Sequence, residues 1–408
     1  MIKTRKSYFY IFIFFLACVV FWWSPSIALY AASEEMYLRP ETLGLSFFAF
    51  GCYVLGYVLF CGKHYPVLVY NKRLLKKVNI LARWITLTLS APSLVLAVLF
   101  YIERSTVAYG DGDGIPLYYQ AFFYSQLSFF FIYIASSEER ERRRLLFLLI
   151  LGLTIAIRLI VSMKWGRFFL VQAVFPVFML YVARGWLLFS LKNTLIFVFA
   201  LLFVFFVPSY MRGDFDAVAQ HKDGIDFNKL QSSSIAMEYL QSSSTLKLFE
   251  ENIDTDFSKW CNPLLVSLTQ KIVPYKALNV CVMNIWREEG LATTLDRILA
   301  YKELGPELSQ EVLNGPGSNY LLESYVSLGG VLGIAVISFL SGLLCAISFS
   351  SLASASLFGS LWLEILTRCV LIPRGNFGYM LERMPMLFLS IVALVLFNFV
   401  VTRQKHAS

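Results

Sequence analysis

Arginines gather at the ends of apolar stretches in this chain of 408 residues. Arg158 lies within an apolar run, and Lys164 and Arg167 fall in the short turn Lys164-Trp165-Gly166-Arg167. Arg212 opens a long polar stretch as Arg212-Gly213-Asp214. Arg368 and Arg383 flank Arg374, which stands in Pro373-Arg374-Gly375-Asn376-Phe377. An arginine in or beside a bilayer is costly and marks a functional site by default. Guanidinium binds phosphate through two parallel hydrogen bonds and never loses its charge. A cluster of this kind calls for an anion at the membrane surface, and a lipid diphosphate fits. Each arginine also has a plainer account by itself: it snorkels to headgroups, or, for Arg368, pairs with Glu364 one helical turn away.

Among the carboxylates Glu323 stands out. It sits in Asn319-Tyr320-Leu321-Leu322-Glu323-Ser324-Tyr325, where the long polar stretch gives way to an apolar run. It is either a general base or the group that holds an arginine in place; a helix start also favours an acid there on dipole grounds alone. The pairs Asp111/Asp113, Asp214/Asp216 and Asp254/Asp256 have the spacing of a divalent-metal grip beside phosphates. Such pairs also arise by chance, and Asp-Gly-Asp-Gly is turn chemistry. His64, His221 and His406 fall on separate segments and no C-x-x-C occurs, so neither metal nor cofactor is expected. Cys18, Cys52, Cys61 and Cys345 read as packing residues. Cys261 and Cys281 share the long polar stretch, and a bridge between them is an open expectation.

The elements that must position these groups follow from composition. The chain is 58% hydrophobic and 15% charged, with mean hydropathy +0.64. Soluble domains are about 45–50% apolar and about 25% charged. A soluble enzyme, a disordered protein and a disulfide scaffold are excluded, and the fold class is an all-α polytopic integral membrane protein. Ten segments have spanning length: Tyr8–Ala32, Leu43–Cys61, Trp84–Ile102, Pro116–Ala135, Leu145–Met163, Phe168–Leu188, Leu195–Tyr210, Tyr320–Phe349, Leu352–Ile372 and Pro385–Val401. The first reads as a retained span, with Trp22 and Trp23 at the outer interface.

Basic residues fall on alternate connections: Lys3, Arg5 and Lys6; Lys63 through Arg83; Arg140 through Arg144; Arg184 and Lys192; Arg403 and Lys405. The positive-inside rule puts these connections and both termini in the cytoplasm. The net charge of +8 is therefore a topology signal, and no nucleic-acid partner is expected. One connection, Met211–Ser318, is about a quarter of the chain, net acidic, and outside by the same rule. Loops of that length are functional or fold as a small domain. Leu264, Leu265, Leu268 and Ile272 have helical spacing within Asn262–Val280, so short helices capping the bundle are expected. The organisation is residues 1–210 as spans one to seven, 211–318 as the outer loop, and 319–408 as spans eight to ten.

At this point the chain resembles the Wzy-type O-antigen polymerases, which join oligosaccharide repeat units of bacterial surface polysaccharides. The topology resembles theirs over the whole length. The most specific stretch is Gly315-Pro316-Gly317-Ser318-Asn319 through Glu323-Ser324-Tyr325 to Gly329-Gly330-Val331-Leu332-Gly333. Trp165-Gly166-Arg167 before an apolar span is similar to the family's Gly-Arg turn; the family often has small residues where Lys164-Trp165 stand. The resemblance implies a membrane-embedded glycosyltransferase of GT-C-like architecture in the bacterial inner membrane, with its large loop in the periplasm. Its substrates would be undecaprenyl-diphosphate-linked oligosaccharides among the membrane lipids. Arg167, Arg212, Arg374 and Arg158 would hold the diphosphate, and Asn319 and Tyr325 would touch substrate. Glu323 would be base or orienter, with His221 and Asp214 behind it. A chain-length regulator, a flippase and a ligase would be pathway partners. O-antigen ligases share the plan and differ in acceptor, lipid A–core. A flippase for the lipid-linked unit would be expected to show internal repeats, and none is present.

Overall fold

A computed structural model describes residues 2–23, 39–61, 72–104, 117–138, 145–163, 168–186, 246, 249–250, 252–255, 262–272, 320–369, 373, 377–381 and 383–407. Among them all regular structure is helical: α1 Ile2–Cys18, α2 Pro40–Phe60, α3 Lys72–Glu103, α4 Leu117–Ser136, α5 Leu145–Ser162, α6 Phe168–Ala183, α7 Pro263–Ile272, α8 Tyr320–Leu328, α9 Val331–Ser351, α10 Gly359–Cys369 and α11 Met384–Ala407. A π-helical turn, Val19–Trp23, continues α1, and a 3₁₀ turn covers Phe377–Leu381. Five stretches are long and apolar enough to cross a membrane: α2, α3, α5, α9 and Met384–Val401 of α11. The chain is a helical membrane protein.

It divides into two compact units. The first comprises Met1–Gly62, Phe215–Ala346 and Arg368–Pro385. Here α1 runs against α2 through aromatic stacks, Phe14 on Tyr53 at 3.6 Å and Tyr10 on Tyr57 at 5.8 Å between centroids. The α2–α9 crossing is closer still. A Cβ on Gly56 would strike the Phe339 carbonyl, and one on Gly342 the Tyr53 carbonyl, so only glycine lets the backbones touch. Small residues at the contact are the usual solution where lipid removes the hydrophobic drive between helices. The start of α2 carries Pro40 and Glu41. The Glu250 carboxylate caps it, accepting from the Arg39 N–H (2.9 Å) and the Thr42 hydroxyl (3.1 Å).

The second unit comprises Lys63–Asp214, Ile347–Thr367 and Met386–Ser408. Its helix α4 runs antiparallel to α3, Asn79 meeting Ser136 and Phe100 meeting Tyr119, and to α5, Gln126 meeting Thr154 and Tyr133 meeting Phe147. The face α3 buries is small and polar (Asn79, Ala82, Thr86, Ser90, Ser93, Ala97) at helical spacing. Gln126 of α4 donates to Ser90 (3.3 Å) and Thr154 (2.9 Å), and Asn79 to Tyr133 O, Ser136 and Ser137. Gly185, at φ 70°, ends α6, with the Trp186 N–H returning to Tyr181 O at 2.9 Å. Arg184 beside it donates to the carbonyls of Ala135, Ser137 and Leu352, joining the ends of α4 and α9.

Three expected segments differ. α3 begins at Lys72 rather than Trp84, and its 32 residues, about 48 Å, extend well past the hydrocarbon. The single span Tyr320–Phe349 is two helices. Gly329 and Gly330, at φ +81° and +74°, break it, and the Gly330 N–H closes α8 on Tyr325 O at 2.7 Å. Tyr320 bonds Ser338 and Gly333 abuts the Ser324 carbonyl, so α8 folds back along the first half of α9. The expected span Leu352–Ile372 is helical only over Gly359–Cys369, 11 residues or about 16 Å, half a bilayer crossing. Of the expected cap helix Asn262–Val280, Pro263–Ile272 is seen, started by the Asn262 side chain accepting from the Leu265 N–H at 3.2 Å. The seventh segment, Leu195–Tyr210, and Cys261 and Cys281 lie outside the described residues.

Candidate functional site

The site is built around α8. Folding back at Gly329-Gly330 carries Glu323 into the interior of the first unit, where it is 0% exposed. A buried carboxylate needs hydrogen-bond donors. One is the Phe377 backbone N–H, 2.8 Å from Oε2. Such a bond to a charged acceptor is about twice as strong as a neutral one. Phe377 ends the segment that began as Pro373-Arg374-Gly375-Asn376. The other end is also held: the Trp22 indole N–H donates to Pro373 O at 2.7 Å. Trp22 stacks on Tyr320, centroids 6.0 Å apart and planes within 1°. Tyr320 lies one turn before Glu323, so Trp22, Tyr320 and Glu323 form one bracket around Pro373 and Phe377.

The π turn at the end of α1 is part of this bracket. Extra-wide turns of this type often sit at functional sites, where they re-aim a side chain. Trp22 is buried to 1% exposure and Trp23 donates to Ser46 at 3.0 Å, so neither is the interface anchor that the sequence suggested. Below the bracket, Gly378 packs so closely on Ser267 of α7 that a Cβ would meet its hydroxyl and backbone. Ser327 ties α7 to α8, accepting from the Asn262 side-chain amide (2.7 Å) and the Leu264 N–H (3.1 Å).

Of the residues singled out in the sequence, Glu323 and Tyr325 are brought to this site. Tyr325 packs edge-on against Phe249, 5.7 Å between centroids, and beside Gly330. Arg158 belongs to the second unit. It is fully buried in an apolar cluster, donating to the Phe123 carbonyl and lying over the Phe169 ring at 5.7 Å. Arg368 and Arg383, expected at an outer surface, are buried and engaged inside the protein. Arg167, Arg212, Arg374, His221, Asp214 and Asn319 lie outside the described residues. Sequence reasoning missed Trp22 as part of the site, and the backbone groups of Pro373 and Phe377. The one signal for the latter was the Pro373-Arg374-Gly375-Asn376 sequence itself.

Chemically the described groups form a rigid mount. The Glu323 carboxylate, whose Oε2 accepts the Phe377 N–H, holds Phe377 in place and presents no exposed surface to a reactant. Comparison with protein-family models, with curated proteins and with solved structures finds no match for this chain.

Proposed function

We propose that the protein is a polymerase of lipid-linked oligosaccharide repeat units, working at the periplasmic face of a bacterial inner membrane. The growing glycan is transferred from undecaprenyl diphosphate to a hydroxyl of the next lipid-linked unit. That hydroxyl oxygen bonds the anomeric carbon, the bond from that carbon to the diphosphate oxygen breaks, and the diphosphate leaves with the electron pair. The protein must stabilise charge on the leaving diphosphate and accept the hydroxyl proton. Arg374, with Arg167 and Arg212, is assigned to the diphosphate.

One observation carries the reading. A buried carboxylate in the re-entry segment clasps the Phe377 N–H, three residues beyond Arg374. Holding Phe377, three residues along the chain, supports a preorganised role for Arg374, since a preorganised donor spends nothing on reorganisation. Glu323 is on this view the orienter. Arg158, bonded to a carbonyl inside an apolar cluster, drops out of the diphosphate set.

The test is a surface-polysaccharide gel from a strain lacking the gene. A single repeat unit on lipid A–core is the expected pattern, because transport and ligation still work and only extension is lost. A core with no sugar unit would indicate a ligase or a flippase, and an unchanged ladder would place the protein outside this pathway.

A further inference from the structure

We infer that Cys345 and Cys369 are joined by a disulfide in the mature protein. Cys345 lies in α9 and Cys369 is the last residue of α10, and both are 0% exposed. Their Sγ atoms are 2.6 Å apart, and the Met380 Sδ lies 2.9 Å from Cys369 Sγ. The Tyr10 and Tyr53 hydroxyls both contact Cys345, and the Tyr10 hydroxyl also contacts Cys369.

Two thiols at that separation are well inside ordinary non-bonded contact. A covalent bond needs about 2.05 Å, a closing movement of about half an ångström that small side-chain rotations supply. A soft metal ion held between the same sulfurs is the competing occupant. Metal–sulfur bonds of about 2.3 Å would hold the sulfurs nearly 4 Å apart at a tetrahedral centre. The observed spacing leaves no room for it, and among the described residues no group of three His, Cys, Asp or Glu side chains converges.

Both thiols are sealed in the folded protein, so the bond forms before α10 packs. One cysteine thiolate attacks the disulfide of a thiol-oxidising partner protein, giving a mixed disulfide and releasing one partner thiol. The second cysteine displaces the other partner sulfur. Two electrons and two protons pass to the partner, which leaves as its dithiol. The consequence lies next to the candidate site. Cys369 and Met380 stand at the two ends of the stretch that contains Pro373 and Phe377, so the bond ties that stretch covalently to α9. This inference does not depend on the proposed activity.

The test uses the full-length protein in detergent, alkylated while unfolding and without reductant, then digested. Trypsin releases Cys369 on the short peptide Cys369–Arg374. The expected result is that this peptide appears only when joined to the fragment holding Cys345. The joined mass is lower by two hydrogens than the two peptides together, and reductant separates them. In Cys369→Ser, Cys345 then takes the alkylating label in unreduced protein. Recovery of both wild-type cysteines alkylated without reductant, or of either joined to another cysteine, overturns the inference.

Discussion

A carboxylate that orients a loop and one that removes a proton respond differently to the same substitution. If Glu323 acts by accepting the Phe377 N–H at 2.8 Å, Glu323→Gln keeps an acceptor of the same shape and loses only the charge. The loss is the difference between a charged and a neutral hydrogen bond, about 1 kcal/mol, or five- to tenfold in chain extension. Glu323→Ala leaves a buried N–H unpaired, which costs about 1–3 kcal/mol more. A general base gives another pattern: glutamine cannot take a proton, so both variants fall by roughly 10²–10⁴. Extension rates in membranes at matched protein level separate the two, and equal, deep losses in both variants would return Glu323 to the role of base. Glu323 itself was legible in the sequence, as an acid in an apolar stretch. Its use was not, because its partner is a backbone group 54 residues away. Trp22 was less legible still: its acceptor is separated from it by 351 residues, and a tryptophan after an apolar run has a good local explanation at the interface.

The elements were legible to the extent that hydropathy decides them. The described apolar runs are helical over most of their length, and the start of α2 matches its local chemistry through Pro40 and Glu41. What hydropathy averages away is a break. Gly329 and Gly330 stand between two apolar stretches, so α8 and α9 read as one span; only the positive φ at both positions reveals the fold-back. The same glycine logic gives a prediction. Gly342→Ala and Gly56→Ala each put a methyl into a carbonyl oxygen of the facing helix. Overpacking of this kind costs about 1–3 kcal/mol, and backbone carbonyls cannot rotate aside. Gly44 and Gly51 lie on the same helix as Gly56 with nothing within 4 Å of an added Cβ. Their alanine variants gain helix propensity and should melt at or above the wild-type temperature in detergent, while G342A and G56A melt several degrees lower. Equal melting temperatures across the four would mean that α2 and α9 do not cross at these glycines.

At the scale of the whole molecule the open quantity is the number of crossings, and the stretch between α9 and α11 decides it. α10 has 11 residues and covers about 16 Å, where the hydrocarbon needs about 30 Å. Irregular backbone at membrane depth survives only where protein satisfies its hydrogen bonds. Pro373 O and the Phe377 N–H are satisfied in that way, by Trp22 and Glu323. With Pro373 and Phe377 held from inside the protein, a single discontinuous crossing that begins with the half-helix α10 is the arrangement to test, against a hairpin that returns to its starting side. If that crossing is made and α11 crosses back, Ser354 and the C-terminal tail are expected on the same side. Ser354, in the turn before α10, is exposed and suits a single-cysteine probe. Ser354→Cys and Lys405→Cys, labelled in intact cells with a membrane-impermeant maleimide and located by peptide mapping, should, on the positive-inside reading, both stay unlabelled until the membrane is opened. Labelling of one and not the other would show that the stretch does not cross. The segment bracketed by Trp22 and Glu323 would then be a re-entrant loop, and the positive-inside assignment of one flank would have to be reversed.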